Sequence, residues 1–358
     1  MIGFEDIYKV IAAMVPLYVA LTLGYGSVRW WRMFTSEQCD GINRMVCYFI
    51  LPLFGFEFTA AHANLFEMNY SVMAADAISK LLAVLILALC AKCCSKMDYS
   101  WCITTFSLLT LTNVLIVGVP LLRAMYGQVG VDIVVQLSVM QAVLWFPLLL
   151  CFLEFRKMGM DYSLTTTSAT TDDLVPGEKD VEGTAEAVRT NSTRPRLWTA
   201  VKIVAPKLAL NPNIYACIIG VAWAVIAHRF KVKMPGIVKE SIEILSRAGL
   251  GTAMFNIGIF MAMQRKVIAC GVKLTFVGMI LRFIAGPALM TVSSFIMGLR
   301  GDVLRMAIMQ AALPQSITTF IFAKEYGLHA SVLSTGVVFG TLASLPVLIA
   351  YYTALEVM

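Results

Sequence analysis

Residues 108–120 read LLTLTNVLIVGVP. Two threonines and an amide, Thr110, Thr112 and Asn113, stand in an apolar run that Gly118 and Pro120 close. Inside a bilayer an unpartnered amide is costly, and a polar residue kept there marks a functional site by default. The reading of the whole chain turns on whether this stretch lies in a membrane and on what Asn113 holds.

Composition answers the first point. Of 358 residues, 59% are hydrophobic and only 14% charged, and the mean hydropathy of +0.78 lies far above that of soluble domains. Apolar stretches of about 20 residues, the length that crosses a bilayer, recur through both ends of the chain. Ten are read, near 8–27, 43–61, 71–93, 101–125, 130–154, 208–228, 243–263, 268–297, 303–324 and 330–354. The fold class is an all-α polytopic membrane protein. MIGFEDIYKV at the start is acidic and carries no small-residue cleavage site, so the first span is expected to insert uncleaved.

Other classes find no support. The histidines His62, His228 and His329 have no metal spacing, and neither a nucleophile elbow nor a phosphate loop is present, so no enzyme, metal or cofactor is expected. Most of the nine cysteines sit inside spans, where they act as small hydrophobes; Cys90, Cys93 and Cys94 cluster with no histidine beside them and are read as free thiols. A net charge of +6 spread over loops gives no stripe for nucleic acid.

Between Asp161 and Arg196 the chain turns Thr-rich and charged, without large apolar side chains to pack. This divides it into an N-terminal membrane half (1–155), a hydrophilic and largely disordered segment (156–207) and a C-terminal membrane half (208–358). Arg156, Lys157, Lys179, Arg189, Arg194, Arg196, Lys202 and Lys207 place the segment in the cytoplasm and both termini on the far side, which leaves the Asn191-Ser192-Thr193 sequon idle.

The halves echo one another in order. DIYKVIAAMVPLYVALTLGYG (6–26) answers NIYACIIGVAWAVIAHRF (213–230), RAMYG (123–127) answers AKEYG (323–327), and PLLLCFLE (147–154) answers PVLIAYYTALE (346–356). Five spans per half is odd, so the second copy must enter the membrane inverted, an arrangement that puts the substrate at mid-membrane between discontinuous helices. The fourth span carries the opening stretch, and its counterpart, the ninth, carries AALPQSITTF with Pro314, Gln315 and Ser316. Proline removes a backbone donor and clashes with the preceding turn, so Pro120 and Pro314 are expected to break these helices. A break exposes a helix N-terminus whose free N–H groups suit an anion, and Asn113 and Gln315 would add amide donors. The plainer alternative is that Asn113 and Thr112 hydrogen-bond a neighbouring helix.

In the third span Asp76 and Lys80 are four residues apart, on one face and within pairing distance. Glu57, Arg123, Asp132, Glu243 and Arg282 are read as interfacial, near span ends, and Gly336 with Gly340 as a close-packing face.

MVPLYVALTLGYGSVRWWRMFTSEQCDGINR, ILPLF, NPNIYA, GLGTAMFNIGIFMA, VIACG, QAALPQ, FAKEYGLH and LSTGVVFG together resemble the plant PIN-FORMED auxin efflux carriers, and the likeness covers every span. The brief hydrophilic segment is similar to the short-loop, endoplasmic-reticulum type. The resemblance implies two inverted five-helix repeats with crossing broken helices, as in sodium/proton antiporters and bile-acid symporters. It further implies a homodimer embedded in lipid that moves the indole-3-acetate anion and related auxins by an elevator-like motion. By the same resemblance the carboxylate lies by Asn113 and Asn213, Leu51 and Ile317 line the indole, and Asp76, Lys80 and Gln141 form a support site. Thr112 and Thr319 stand where many relatives carry crossover prolines, and Gly55 where serine is common. No second carboxylate cluster offers a cation site, so uncoupled, electrogenic transport is expected; the alternative is a Na+- or H+-coupled carrier of another aromatic or bile-acid-like anion.

Overall fold

The computed structural model describes residues 4–62, 68–93, 98–171, 211–264 and 270–357, with the isolated positions 202, 205, 206 and 268. Every regular element among the described residues is a helix, and the only β-type pairing among them is one isolated bridge. In chain order the helices are α1 (Phe4–Arg29), α2 (36–62, with a π turn over Val46–Ile50), α3 (Tyr70–Cys93), α4a (Tyr99–Thr110), α4b (114–126) and α5 (128–171). After the hydrophilic stretch come α6 (Pro212–Phe230), α7 (Gly236–Met263), α8 (272–296), α9a (Gly301–Ala311), α9b (Ile317–Glu325) and α10 (Ala330–Val357).

Among the described residues, eight continuous helical stretches are long and apolar enough to cross a membrane. One of them, Val114–Met158, has 45 residues. At 1.5 Å per residue it would reach about 68 Å, more than twice the hydrocarbon core. Gly127, at φ 63°, bends it there, and the matching glycine of the second half, Gly327, holds φ 61° after α9b. Both positions need the left-handed conformation that glycine alone adopts without strain. α5 runs on to Thr171, past residue 156 where the hydrophilic segment was expected to begin. Most of that segment, the 191–193 sequon and Cys94 lie outside the described residues.

Two groups of helices are packed side by side. In one, α1 lies against α7 and α2 against α6 and α7. The α1–α7 contact is closed by glycine: a Cβ on Gly24 would collide with the Phe255 carbonyl, and one on Gly258 with the Leu21 carbonyl. In the other group α8 packs on α3, α4a and α9a, while α10 covers both halves of the ninth span. Tyr18 on α1 reaches across to α10, donating to the Thr341 carbonyl at 2.6 Å with Ser344 Oγ 2.9 Å away.

Candidate functional site at the helix crossing

The two broken spans meet at their breaks. α4a ends at Thr110, and Leu111 turns extended (φ −97°, ψ 113°); α9a ends at Ala311, and the chain stays non-helical through Ser316. The extended segments run antiparallel and pair as a single bridge, Thr112 with Gln315. The Asn113 amide donates to the Pro314 carbonyl at 2.8 Å, and the Ser316 amide to the Leu111 carbonyl at 3.2 Å. Each break therefore satisfies the backbone groups that the other exposes, as buried polar groups require.

Side chains complete the crossing. Gln141, on a π turn of α5, accepts from the Thr112 amide at 3.1 Å and donates to the Thr112 carbonyl at 2.7 Å. Gln310 Nε2 donates to Thr112 Oγ1 at 3.2 Å. Gln315 spends its amide N–H groups on the Ser107 carbonyl (2.9 Å) and Thr319 Oγ1 (2.7 Å). It was expected to offer donors to an anion; instead its unpartnered buried atom is the acceptor Oε1.

Two features at the crossing point to a negatively charged ligand. Asn113 is 8% exposed, yet its Nδ2 has no hydrogen-bond partner among the described residues. It is also the N-cap residue of the π turn that opens α4b, and its side chain does not fold back to cap that helix; Ser316, the N-cap of α9b, does not cap its helix either. A helix N-terminus carries free N–H groups and roughly half a positive charge, so two uncapped ones beside an unused amide favour an anion.

The proline and threonine assignments change. Pro120 does not break the fourth span. The break lies at residues 111–113, and Pro120 sits just after the π turn Val114–Gly118, whose altered bonding absorbs the missing donor. Pro314 does lie in the ninth-span break. Thr319, in the first turn of α9b, donates to the Ser316 carbonyl at 2.7 Å, and the crossover partner of Thr112 is Gln315.

Leu51 on α2 and Ile317, the first residue of α9b, are partly buried and pack against the main apolar core, which also contains Val114 and Val117. Asn213 occupies the first turn of α6, its backbone amide donating to Asn211 Oδ1 at 3.0 Å, so Asn211 is the capping residue of the N-P-N motif.

Asp76 and Lys80, each 2% exposed, form an ion pair of 2.6 Å on α3. With Thr110, Gln310 and the apolar Leu109, Leu289 and Met290 they line a cavity of about 20 Å³, and Lys80 Nζ lies 5.0 Å from the Trp145 ring, one turn beyond Gln141 on the same helix. Gln310, which lines this cavity with the pair, and Gln141 both hydrogen-bond Thr112.

Arg282 was expected at the interface and is instead 1% exposed, in the middle of α8. Its two terminal nitrogens donate to the Leu108 carbonyl (3.1 Å) and the Ala311 carbonyl (2.6 Å). A charge well inside the apolar stretch 268–297 carried the signal that drew attention to Asp76 and Lys80, and so did Gln310, five residues before Gln315.

The family model described as membrane transport protein matches residues 9–352. The chain is 59% identical over 357 residues to auxin efflux carrier component 5 of Arabidopsis thaliana, covering 99% of each. It is 53% identical to probable auxin efflux carrier component 5a of Oryza sativa subsp. japonica over the full length of both. Against probable auxin efflux carrier component 1d of rice the alignment stretches to 559 positions at 30% identity, so the shorter length sets this chain apart from that relative. A family match across almost the whole chain and full-length identity above one half agree: the chain belongs to the membrane transport protein family, among the auxin efflux carriers, and is a multi-pass membrane protein and not an enzyme.

Proposed function

We propose that the protein carries the indole-3-acetate anion and related auxins across the endoplasmic reticulum membrane as an uncoupled, electrogenic, elevator-type transporter. The observation that carries this reading is the unpartnered Asn113 Nδ2 beside the uncapped starts of α4b and α9b. Amides and helix ends bind a carboxylate without a titrating group. Leu51 and Ile317 offer apolar surface for the ring, and Asn213 stands at the start of α6. Asp76, Lys80 and Gln141 serve as a support site: the pair shares a cavity with Gln310, and Gln310 and Gln141 each hydrogen-bond Thr112.

The two halves act as inverted repeats, and the group containing α3, α4, α5, α8, α9 and α10 moves against α1, α2, α6 and α7. The repeated motifs and the positive φ that Gly127 and Gly327 share support the repeat. The carrier works as a homodimer in the lipid, with the hydrophilic segment cytoplasmic and both termini on the lumenal side. Basic residues around that segment and its short length favour the orientation and the compartment.

The test is uptake of labelled indole-3-acetate by proteoliposomes of the purified chain. Saturable counterflow without ion gradients is the expected result. A strict requirement for Na+ or a pH gradient would replace this reading with that of a coupled carrier of organic anions.

A further inference from the structure

The crossing brings together four half-helix ends of two kinds. α4b and α9b present N-termini, with partial positive charge; α4a and α9a present C-termini, with partial negative charge. Such a crossing is ambivalent, because its positive pair suits an anion and its negative pair suits a cation.

Arg282 occupies the negative pair. It donates to Leu108 in the last turn of α4a and to Ala311, the last residue of α9a. Two helix C-termini amount to about one negative charge in total, which a single guanidinium matches. α8 is pressed into this place: a Cβ on Gly286 would sit 2.7 Å from the Leu109 carbonyl and 3.7 Å from the Ala311 carbonyl. Among the described residues no carboxylate pairs with Arg282, Asp76 being already bound to Lys80, so the helix ends are its counter-charge. The water-sized cavity lined by Asp76, Thr110, Gln310 and Ala311 lies against the same helix ends.

The geometry points to Arg282 as a built-in cation that fills the cation-binding side of the crossing, and so fixes the sign of the substrate as negative and removes the need for a free coupling ion. Arg282 touches no substrate; it is a positioning residue that sets the field in which Asn113 and the two N-termini work. This inference rests on the crossing being an anion site.

The test uses the full-length protein with Arg282→Gln and Arg282→Lys, in NaCl or in choline chloride. Two quantities are read: the melting temperature without substrate, and the affinity for labelled indole-3-acetate. Wild type and R282K should ignore the choice of cation in both. R282Q should bind the anion on the order of tenfold more weakly in choline, the scale of a charge removed from a low-dielectric site. Na+ should raise its melting temperature and recover part of the affinity, because a ligand stabilises the state that binds it.

An R282Q protein with wild-type affinity in choline overturns the inference. Loss of affinity with no response to Na+ also overturns it, since a merely structural arginine gives that pattern. If R282Q does not fold, R282K decides: affinity kept within about threefold supports the role, since one positive charge then suffices, and a folded R282K that no longer binds refutes it. If wild type itself fails to bind indole-3-acetate, the substrate reading falls, while the Na+-dependent melting of R282Q still tests Arg282.

Discussion

Gln141 grips Thr112 by both backbone polar atoms, its Oε1 accepting from the amide at 3.1 Å and its Nε2 donating to the carbonyl at 2.7 Å. Many relatives are expected to carry proline at this crossover position, where no N–H needs an acceptor; here threonine brings an N–H, and Gln141 supplies one. Replacing Gln141 by Leu should therefore lower stability by about 1–3 kcal/mol for each group left buried without a partner. Thr112→Pro should relieve part of that cost, because Leu111 already has the extended conformation favoured before proline. In thermal unfolding the double variant should lose about 1 kcal/mol less than the sum of the single variants. Strict additivity would show that Gln141 does not act through the Thr112 N–H.

Asn113→Ala removes a donor that has no partner among the described residues, so the melting temperature should hardly change. Indole-3-acetate binding should weaken by about 1–3 kcal/mol, roughly 5- to 150-fold, the worth of a charge-assisted bond. Asn113→Asp, which places a negative charge where the carboxylate would lie, should abolish binding. Equilibrium binding with the purified variants reads both, and unchanged affinity in either would put the site elsewhere.

Lys80→Met should destabilise the fold by about 3–5 kcal/mol, because it strands the buried Asp76 carboxylate. Adding Asp76→Asn removes the stranded charge and should recover much of that loss. Transport separates the roles of the pair: a support site that receives the anion leaves the double variant stable but slow, whereas a purely structural pair regains rate along with stability.

Because amides and helix ends hold a carboxylate without taking up a proton, net charge should cross the membrane in each cycle. An imposed potential is worth about 2.3 kcal/mol per charge for each 100 mV. It should change the initial rate of uptake into proteoliposomes, while removal of Na+ or collapse of the pH gradient at fixed potential leaves that rate nearly unchanged. A rate that tracks the pH gradient alone would identify a proton as co-substrate, with Asp76 the first residue to examine.

The sequence by itself determined the membrane class and the helical architecture, and it singled out Thr112, Asn113, Asp76 and Lys80 as polar residues inside apolar runs. Hydrophobic length, motif order and polar residues inside apolar runs are local properties, legible without coordinates. Only the tertiary structure decided how the breaks work. Pro120 lies in helix because a π turn absorbs its missing donor, and Gln315 is an acceptor because Ser107 and Thr319 take its N–H groups. Arg282 reads as one more charge in a helix until Leu108 and Ala311, 174 residues back and 29 residues on, bring their carbonyls to it. Which donor meets which acceptor depends on how distant segments cross, and spacing along the chain does not encode that directly.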